Sequence, residues 1–416
     1  MNKKNNRSLT YFFNFFRIFA ALIFANMKVI HFITDEKHLN TTIDLFEDIK
    51  ELENRYIVVT YDDETPSFRF LESKKVEMIH ISEINTIISS HSICDTIVIH
   101  NLCSLPCEYI KDINKKIKVV WFSWGFDIYA NQYPHFKLIK LKNRIKHKTI
   151  TFRYRLRLLN ESRRLFISNL LNKKRKEQKA FVAAIHRIDY YSGVYPIEYD
   201  YLKKNSFFRA KRIYFNYPPK KNQYDINFLT TDIHPTNNYI QIGNCGTKLG
   251  NHGNTFWRLK NIDLQNRKVI VPLSYAGDSL YRSIVHKKGQ EFLGENFFPL
   301  TSFMKIDDYF KLIKSASIAI HNVEQQAAVG NILVNIWNGT KVFLPESSLN
   351  YQFFKSLGFH IFTIENDLNQ TEIDTVLSDS DIIDNRNKII QHFSVESIRN
   401  KVRNSFLTIE QSLHDN

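Results

Sequence analysis

At 416 residues the chain is long enough for two domains of ordinary size, each with its own hydrophobic core. A hydrophobic content of 43% is that of a globular protein, and 33 Phe and 20 Tyr predict a strongly aromatic interior. The four cysteines have neither CxxC spacing nor paired histidines nearby, so the sequence predicts no zinc site and no disulfide framework. Such cysteine usage is typical of a reducing cytoplasm.

The chain begins with an apolar stretch at residues 11–25 (YFFNFFRIFAALIFA), preceded by three cations. This stretch is too short for a clean transmembrane span, and Arg17 interrupts it. The stretch resembles a signal peptide. However, a segment typical of the first strand of an α/β domain begins at Met27. We therefore interpret residues 1–26 as an extension, either a short interfacial anchor or the result of a start codon assigned too far upstream.

Short apolar runs alternate with helical patterns, which predicts parallel sheets with crossover helices. In the first half we predict strands at 29–33, 56–60, 96–100, 118–122 and 181–185, and a helix at 41–52. In the second half we predict strands at 239–242, 268–271, 317–320, 341–344 and 361–363, and helices near 306–315, 331–337 and 349–357. A polar, proline-bearing stretch at 218–223 marks the boundary. Two Rossmann-like domains should therefore place ligands at the carboxyl ends of their strands, in a shared cleft.

Most of the net charge of +15 lies in residues 137–179, where sixteen Lys and Arg stand against Glu161 and Glu177. Apolar residues are interleaved with these cations. A basic amphipathic segment of this kind favours an anionic membrane surface. A solvated charged face and nucleic acid are the alternatives, but the chain contains no nucleic-acid recognition motif. We therefore expect a membrane surface as a partner, and no nucleic acid.

The strand predicted at 118–122 runs into a compact aromatic loop, residues 123–129 (SWGFDIY). Aromatic faces and a glycine suit the wall of a sugar site, and a carboxylate there suits a base that deprotonates an acceptor hydroxyl. Asp127 is therefore the predicted base, with helix capping as the alternative, and His31 is the second candidate for the base. Trp124, Gly125 and Tyr129 are predicted to bind the acceptor, whereas Trp121 is interpreted as a core residue.

Four of the twelve glycines fall within residues 243–253 (GNCGTKLGNHG), directly after the strand predicted at 239–242. A strand that runs into a glycine-rich turn and then a helix lets backbone N–H groups face a phosphate. The spacing matches neither GxGxxG nor the P-loop, and a flexible surface loop is the alternative. The residues predicted to line a diphosphate are Gly243, Asn244, Gly246, Asn251 and His252.

A second phosphate-binding pattern follows the strand predicted at 317–320, in residues 321–333 (HNVEQQAAVGNIL). A polar cluster, a small-residue turn and a helix N-terminus suit a pyrophosphate, because free N–H groups and the helix dipole favour an anion. The alternative is that residues 324–326 only cap the helix. The residues predicted to hold ribose, phosphate and donor sugar are Glu324, Gln325, Gln326, Gly330 and Asn331.

These motifs resemble the TDP-N-acetylfucosamine:lipid II N-acetylfucosaminyltransferase family, glycosyltransferase family 56. The resemblance is carried by residues 121–129, by 243–246 with Asn251 and His252, and by 324–326 before Gly330. Residues 307–320 (DDYFKLIKSASIAI) are similar to that family and to many GT-B transferases. The similarity runs from about Met27 to near the C-terminus. The chain departs from the family in residues 1–26, in its longer basic segment and in Glu324, where Arg is expected.

The resemblance implies a GT-B fold: an α/β architecture of two Rossmann-like domains whose parallel sheets face a central cleft. It implies a metal-independent transferase without cofactor, which moves a deoxy or deoxyamino sugar such as N-acetylfucosamine from a nucleotide diphosphate, dTDP being favoured. The acceptor would be a polyprenyl-pyrophosphate-linked glycan, and the enzyme would lie peripherally on the cytoplasmic face of the inner membrane. The acidic residues 62–64 are interpreted as a solvated turn and not as a metal site.

The predicted elements and the family resemblance together give the expected domain organisation. Residues 1–26 form the extension, 27–222 an acceptor-binding domain with the basic membrane-facing segment 137–179, 223–385 the nucleotide-sugar domain, and 386–416 a C-terminal helical segment. Two other classes of function stay open: a two-domain nucleotide-sugar enzyme of the epimerase type, and a non-catalytic basic adaptor for membranes or nucleic acid.

Overall fold

The computed structural model describes residues 26–61, 67–72, 74–129, 139, 144–169, 172–220 and 223–414. Residues 1–25 of the predicted extension, the acidic stretch 62–64 and most of 130–143 lie outside the described residues. Within the described ranges, no helix is both long and apolar enough to cross a bilayer.

The first sheet has seven strands in the order β3-β2-β1-β4-β5-β6-β7, and every neighbouring pair is parallel. Its strands are β1 (Met27–Ile33), β2 (Leu52–Thr60), β3 (Val76–His80), β4 (Thr96–Ile99), β5 (Lys118–Phe122), β6 (Tyr190–Ser192) and β7 (Lys211–Arg212). Its helices are α1 (Leu39–Glu47), α2 (Ile84–Ser89), α3 (Cys107–Ile110), α4 (Gly125–Tyr129), α5 (Phe152–Asn169), α6 (Asn172–Arg187) and α7 (Pro196–Leu202). The strand order reverses between β1 and β4.

The second sheet has six parallel strands in the order β10-β9-β8-β11-β12-β13. Its strands are β8 (Tyr239–Ile242), β9 (Val269–Pro272), β10 (Phe297–Leu300), β11 (Ala316–Ile320), β12 (Lys341–Leu344) and β13 (Phe362–Thr363). The helices that follow are α8 (His252–Leu259), α9 (Ser279–Leu293), α10 (Ile306–Lys314), α11 (Val329–Trp337), α12 (Leu349–Ser356), α13 (Gln370–Asp374), α14 (Asp379–Phe393) and α15 (Val395–His414). Here the order reverses between β8 and β11.

The central strands are short apolar runs because helices cover both faces of each sheet. All four residues of β4 and all five of β11 are buried, so neither strand alternates between polar and apolar positions. The two sheets share the doubly wound order in which consecutive crossovers run outward from a central pair of strands. The predicted class, α/β with two Rossmann-like parallel sheets, is confirmed.

One predicted strand is wrong. Residues 181–185 belong to helix α6, where Phe181, Ala184 and Ile185 face the core. A short apolar run has the same appearance in a buried helix and in a buried strand, and here the residues are spaced at helical intervals. The sequence also missed β3, β6, β7 and β10, two of which have only two or three residues.

The C-terminal helix α15 returns to the first sheet. Ile398, Val402, Phe406 and Ile409 are buried in the same cluster as residues of β1, α1 and β5. Their spacing places them on one face of a helix. The boundary expected at residues 385 and 386 falls inside α14, which packs against α11 of the second half.

The basic segment contacts both halves of the molecule. Ile150, just before α5, and Tyr154, within α5, are buried in the core of the second sheet. Ile139, in the same segment, is buried in the core of the first sheet, and helix α6, whose first residues belong to the segment, packs against α3. The segment therefore bridges the two sheets.

Candidate active site

The two glycine-bearing loops of the second sheet meet at its point of strand reversal. Ile242 at the end of β8 lies opposite Ile320 at the end of β11, and the Gly243 N–H donates to the Ile320 carbonyl at 2.9 Å. Because the strands are parallel, residues 243–251 and 321–328 emerge at the same edge. Ligands of doubly wound sheets bind in this crevice. The structure thus brings together the two segments predicted to bind a diphosphate.

Each glycine of residues 243–253 lies in close contact with neighbouring atoms. A Cβ on Gly243 would lie 3.1 Å from Nε2 of His252, and one on Gly250 would lie 2.7 Å from Cε1 of the same ring. A Cβ on Gly246 would lie 3.0 Å from the Leu273 carbonyl oxygen, and one on Gly253 would lie 2.8 Å from the Lys148 carbonyl oxygen. The glycines therefore allow this loop to pack tightly around His252 and against its neighbours.

The N–H groups of these glycines are largely engaged within the protein. Gly246 donates to the Tyr275 carbonyl at 2.9 Å and Gly250 donates to the Thr247 carbonyl at 3.0 Å. By contrast, the N–H groups of Asn244, Cys245 and Thr247 donate to no backbone acceptor in the described part of the chain. These partly buried positions, and not the glycines themselves, are the ones available to phosphate oxygens.

His252 and Asn251 are both fully buried. Nδ1 of His252 lies 3.0 Å from the Tyr281 hydroxyl, and burial lowers the pKa of His252 to about 4, so the ring is neutral. Asn251 has a left-handed backbone, with φ of 49°. Its side chain forms hydrogen bonds with backbone groups of Lys146, Arg144 and Asn322, which lie on both sides of the crevice. Its amide is therefore occupied in fixing the crevice and is not free to bind a ligand.

The N-terminus of α11 is exposed at Gly330. A Cβ on this residue would have no atom of the described ranges within 4 Å. The side-chain oxygen of Asn331 accepts a hydrogen bond of 2.9 Å from the Tyr309 hydroxyl, which fixes the first turn. Free N–H groups and the helix dipole favour an anion at this position.

The polar residues before α11 contact the first half of the molecule. Glu324 is buried, accepts a hydrogen bond of 2.8 Å from the Ser347 hydroxyl and forms an ion pair with Lys146. A Cβ on Gly125 would lie 2.6 Å from Oε1 of Gln326. The N-cap of α11 is Ala328, with no side-chain cap hydrogen bond. The capping alternative for residues 324–326 is therefore not what the structure contains.

In the first sheet, Asp127 lies in the short helix α4 that follows β5. Its Oδ2 accepts hydrogen bonds from Nε1 of Trp121 at 3.1 Å and from the N–H groups of Leu102 at 3.3 Å and Trp124 at 3.2 Å. Burial raises the pKa of Asp127 to about 7. Oδ1 is also buried and has no hydrogen-bond partner among the described residues.

Two further polar atoms near Asp127 are buried without a partner in the described ranges: Nε1 of Trp124 and the hydroxyl of Tyr217. The rings of Trp124 and Tyr217 have centroids 5.8 Å apart, and that of His38 lies 5.6 Å from Tyr217. Burial and the negative charge of Asp127 raise the pKa of Tyr217. Unsatisfied buried polar groups are rare and point to a function, so this aromatic cluster is the candidate acceptor site.

The sequence analysis missed two members of this cluster. His38 precedes α1 in the loop after β1, so its place at the carboxyl edge of the first predicted strand was a usable signal. Tyr217 lies in an irregular stretch that the sequence marks only as a boundary. No local pattern indicated it.

His31 is not brought to this cluster. It lies within β1 and is fully buried, with Nδ1 3.0 Å from Nε2 of His100 and Nε2 3.1 Å from the side-chain oxygen of Asn54. Burial lowers its pKa to about 3. Tyr129 is also buried, and its hydroxyl donates to Glu198 at 2.7 Å. Trp121 is in the core, as interpreted.

A groove of about 870 Å³ lies elsewhere, between α3 and α6, and is lined by Lys111, Lys179 and Asp189 among others. Asp189 accepts a hydrogen bond from the Val119 N–H near the amino end of β5, which is the edge opposite the two candidate sites.

The described residues contain no cluster of three or more His, Cys, Asp or Glu that suits a metal ion.

Comparison with known proteins bears on both the family and the fold. A model of the family described as 4-alpha-L-fucosyltransferase, glycosyl transferase group 56, matches residues 189–406, just over half of the chain. No curated protein sequence matches the chain.

Solved structures resemble the chain at low identity. HepE of Anabaena in complex with UDP and glucose has a TM-score of 0.60 at 12% identity, over 92% of this chain and all of HepE. A glycosyltransferase of Rickettsia africae has a TM-score of 0.59 at 9% identity, over 94% and 100%. Sucrose-phosphate synthase of Thermosynechococcus elongatus has a TM-score of 0.58 at 10% identity, over 93% and 100%. The chain belongs to the glycosyl transferase group 56 family and is a glycosyltransferase with the GT-B fold.

Proposed function

We propose that the enzyme transfers a deoxyamino sugar such as N-acetylfucosamine from dTDP to a polyprenyl-pyrophosphate-linked glycan. The nucleotide-sugar donor binds at the strand reversal of the second sheet, with its diphosphate at the N-terminus of α11. The acceptor binds at the cluster around Asp127. The close approach of Gly125 to Gln326 supports this proposal, because Gly125 precedes Asp127 by two residues and Gln326 lies in the loop before α11.

In this mechanism Asp127 accepts the proton of the acceptor hydroxyl through Oδ1, which has no hydrogen-bond partner in the described part of the chain. The hydroxyl oxygen then bonds to the anomeric carbon as the bond from that carbon to the phosphate oxygen breaks. The departing nucleoside diphosphate takes up negative charge, which the N-terminus of α11 stabilises. Neutral His252 packs against Gly243 and Gly250 and maintains the conformation of the loop that contains them.

A thermal-shift panel of dTDP, UDP and GDP tests the donor class. We expect dTDP to give the largest rise in melting temperature, because a ligand that binds only the folded state adds about 2.7 kcal/mol at a hundredfold excess over its Kd. The rise should persist with EDTA present, since the helix N-terminus and side chains bind the diphosphate. Stabilisation by UDP or GDP alone would contradict the dTDP assignment, and a need for Mg²⁺ would contradict the metal-independent mechanism.

We further propose that α5 rests on the anionic cytoplasmic leaflet, where a polyprenyl-linked acceptor resides. Phe152, Leu156 and Leu159 are 75%, 45% and 52% exposed and recur at helical spacing on one face. Arg153, Arg155 and other exposed cations flank them. Tyr154, on another face of the helix, anchors it in the core of the second sheet.

Replacing Phe152, Leu156 and Leu159 together by Ser should weaken binding to anionic vesicles by at least tenfold, because each buried apolar side chain contributes about 1.5–3 kcal/mol. Vesicle co-sedimentation measures this. The matched control replaces three exposed apolar residues of the second half, Ile226, Phe228 and Val376, by Ser. Equal losses in the two variants would contradict a specific role for α5.

A further inference from the structure

The chain between the described residues 144 and 149 lies across the crevice of the second sheet. The Asn251 side-chain oxygen accepts from the Lys146 N–H at 2.7 Å, and its amide donates to the Asn322 carbonyl at 2.9 Å and to the Arg144 carbonyl at 3.0 Å. Asn251 follows β8 and Asn322 follows β11. Lys146 and Arg144 are therefore held at the strand reversal, between the two loops that face the donor.

The two cations have unequal partners there. Lys146 forms an ion pair with Glu324, whose side chain is only 6% exposed. The guanidinium of Arg144 contacts only neutral oxygens among the described residues: the Tyr129 carbonyl at 3.0 Å and the side-chain oxygen of Gln325. Its Nε is buried without a partner in that part of the chain, and burial lowers the pKa of Arg144. A partly buried cation without a carboxylate partner is costly and points to an anion that completes it.

We propose that Lys146 and Arg144 bind the diphosphate of the nucleotide-sugar donor, an inference that rests on the proposed function. A guanidinium fork and an ammonium are both suited to phosphate oxygens. On binding, the diphosphate replaces Gln325 as the partner of Arg144 and Glu324 as the partner of Lys146. Glu324 is thereby released to accept hydrogen bonds from hydroxyl groups of the donor.

Calorimetric titration of the full chain with dTDP tests this proposal. Lys146→Met should raise the Kd for dTDP roughly ten- to a hundredfold, the loss expected for a hydrogen bond to a charged group. Arg144→Gln should act in the same direction. The binding of thymidine, which has no phosphate and can be followed by saturation-transfer NMR, should not change in either variant.

Lys148→Met is the matched control, because Lys148 lies in the same segment but is exposed, with Nζ 5.5 Å from the centroid of the Trp257 ring. It should bind dTDP as the unmodified chain does. A dTDP affinity that falls equally in Lys148→Met and Lys146→Met would overturn the proposal, because it would reflect the overall charge of the segment.

A double variant separates diphosphate binding from a purely structural role. Lys146→Met combined with Glu324→Gln removes the unpaired buried carboxylate that the single variant leaves. If Lys146 contacts the diphosphate, the double variant regains melting temperature but still binds dTDP weakly. Recovery of dTDP binding in the double variant, or unchanged dTDP binding in Lys146→Met, would overturn the proposal. If the unmodified chain binds none of dTDP, UDP and GDP, the proposed function itself fails, which is a distinct result.

Discussion

Asp127→Asn is expected to lower turnover by roughly 10²–10⁴-fold, the contribution typical of general acid–base catalysis. The amide keeps the size of the carboxylate and an oxygen for the N–H donors of Trp121 and Trp124, but it cannot accept a proton at neutral pH. The release of dTDP from the sugar donor in the presence of acceptor measures the effect. The Kd for dTDP should stay within about threefold, because the proposed donor site lies at the other sheet.

The pH dependence provides an independent readout. Since the pKa of Asp127 is raised to about 7, the carboxylate that the proposed mechanism requires forms only as the pH rises through that value, so activity should increase up to about pH 8. The folded state holds this proton to a higher pH than the unfolded state, whose carboxyl has an ordinary pKa of 3.8. Asp127 therefore contributes stability that is present below about pH 4 and lost as the pH rises towards 7. The Asp127→Asn variant should not show this loss of stability as the pH rises towards 7.

The control for Asp127 is Asp95→Asn, since Asp95 also accepts a backbone hydrogen bond, from Lys28 at 2.8 Å, but lies at the amino end of the first sheet. Its turnover should be unchanged. A lower melting temperature of Asp127→Asn with a proportionate loss of activity would make Asp127 a structural residue. Normal turnover in Asp127→Asn would place the base on another side chain.

Asn251→Ala is expected to lower the free energy of unfolding by roughly 3–5 kcal/mol, since each buried polar group left without a partner costs about 1–3 kcal/mol. The groups that lose their partner include the N–H of Lys146, the hydroxyl of Thr149 and the carbonyl of Asn322. Urea unfolding measures the loss. The affinity for dTDP should also fall, because the chain that holds Lys146 and Arg144 is no longer fixed over the crevice.

Two further substitutions identify why Asn251→Ala lowers the free energy of unfolding. Asn251→Gly adopts the left-handed backbone without strain, so a loss similar to that of Asn251→Ala would assign the effect to the side-chain hydrogen bonds. Asn227→Ala, at an exposed asparagine, should change the unfolding free energy by less than about 0.5 kcal/mol. A full recovery of stability in Asn251→Gly would show instead that backbone conformation is the dominant contribution.

The central strands could be predicted from the sequence because burial on both faces leaves mostly apolar residues, as in β4, β8 and β11. Strands β6 and β7 could not, since three and two residues are too few for any periodicity. The run that includes Phe181 was ambiguous for a different reason. Apolar content alone does not distinguish a buried helix from a buried strand, and the surrounding charged residues carried the helical signal.

The meeting of the loops after β8 and β11 could be predicted from topology, because loops after neighbouring parallel strands must share an edge. The structural reason for the glycines could not be predicted from the sequence. Gly243 and Gly250 make room for the ring of His252, and the spacing of the glycines does not indicate that a side chain of the same loop packs against them. The contact between Asn251 and Lys146 joins residues 105 positions apart. Contacts of this kind depend on the tertiary fold and have no local pattern.

The return of α15 to the first sheet makes the second half an insertion within the first. Besides the basic segment that bridges the sheets, the chain passes into the second sheet before β8 and comes back between α14 and α15, so the halves are joined at several places along the sequence. Any displacement of one half relative to the other would have to bend these connections together. Shortening the chain at its C-terminus would uncover Phe46 and its neighbours in the first half, while the loops after β8 and β11 would keep all of their own residues.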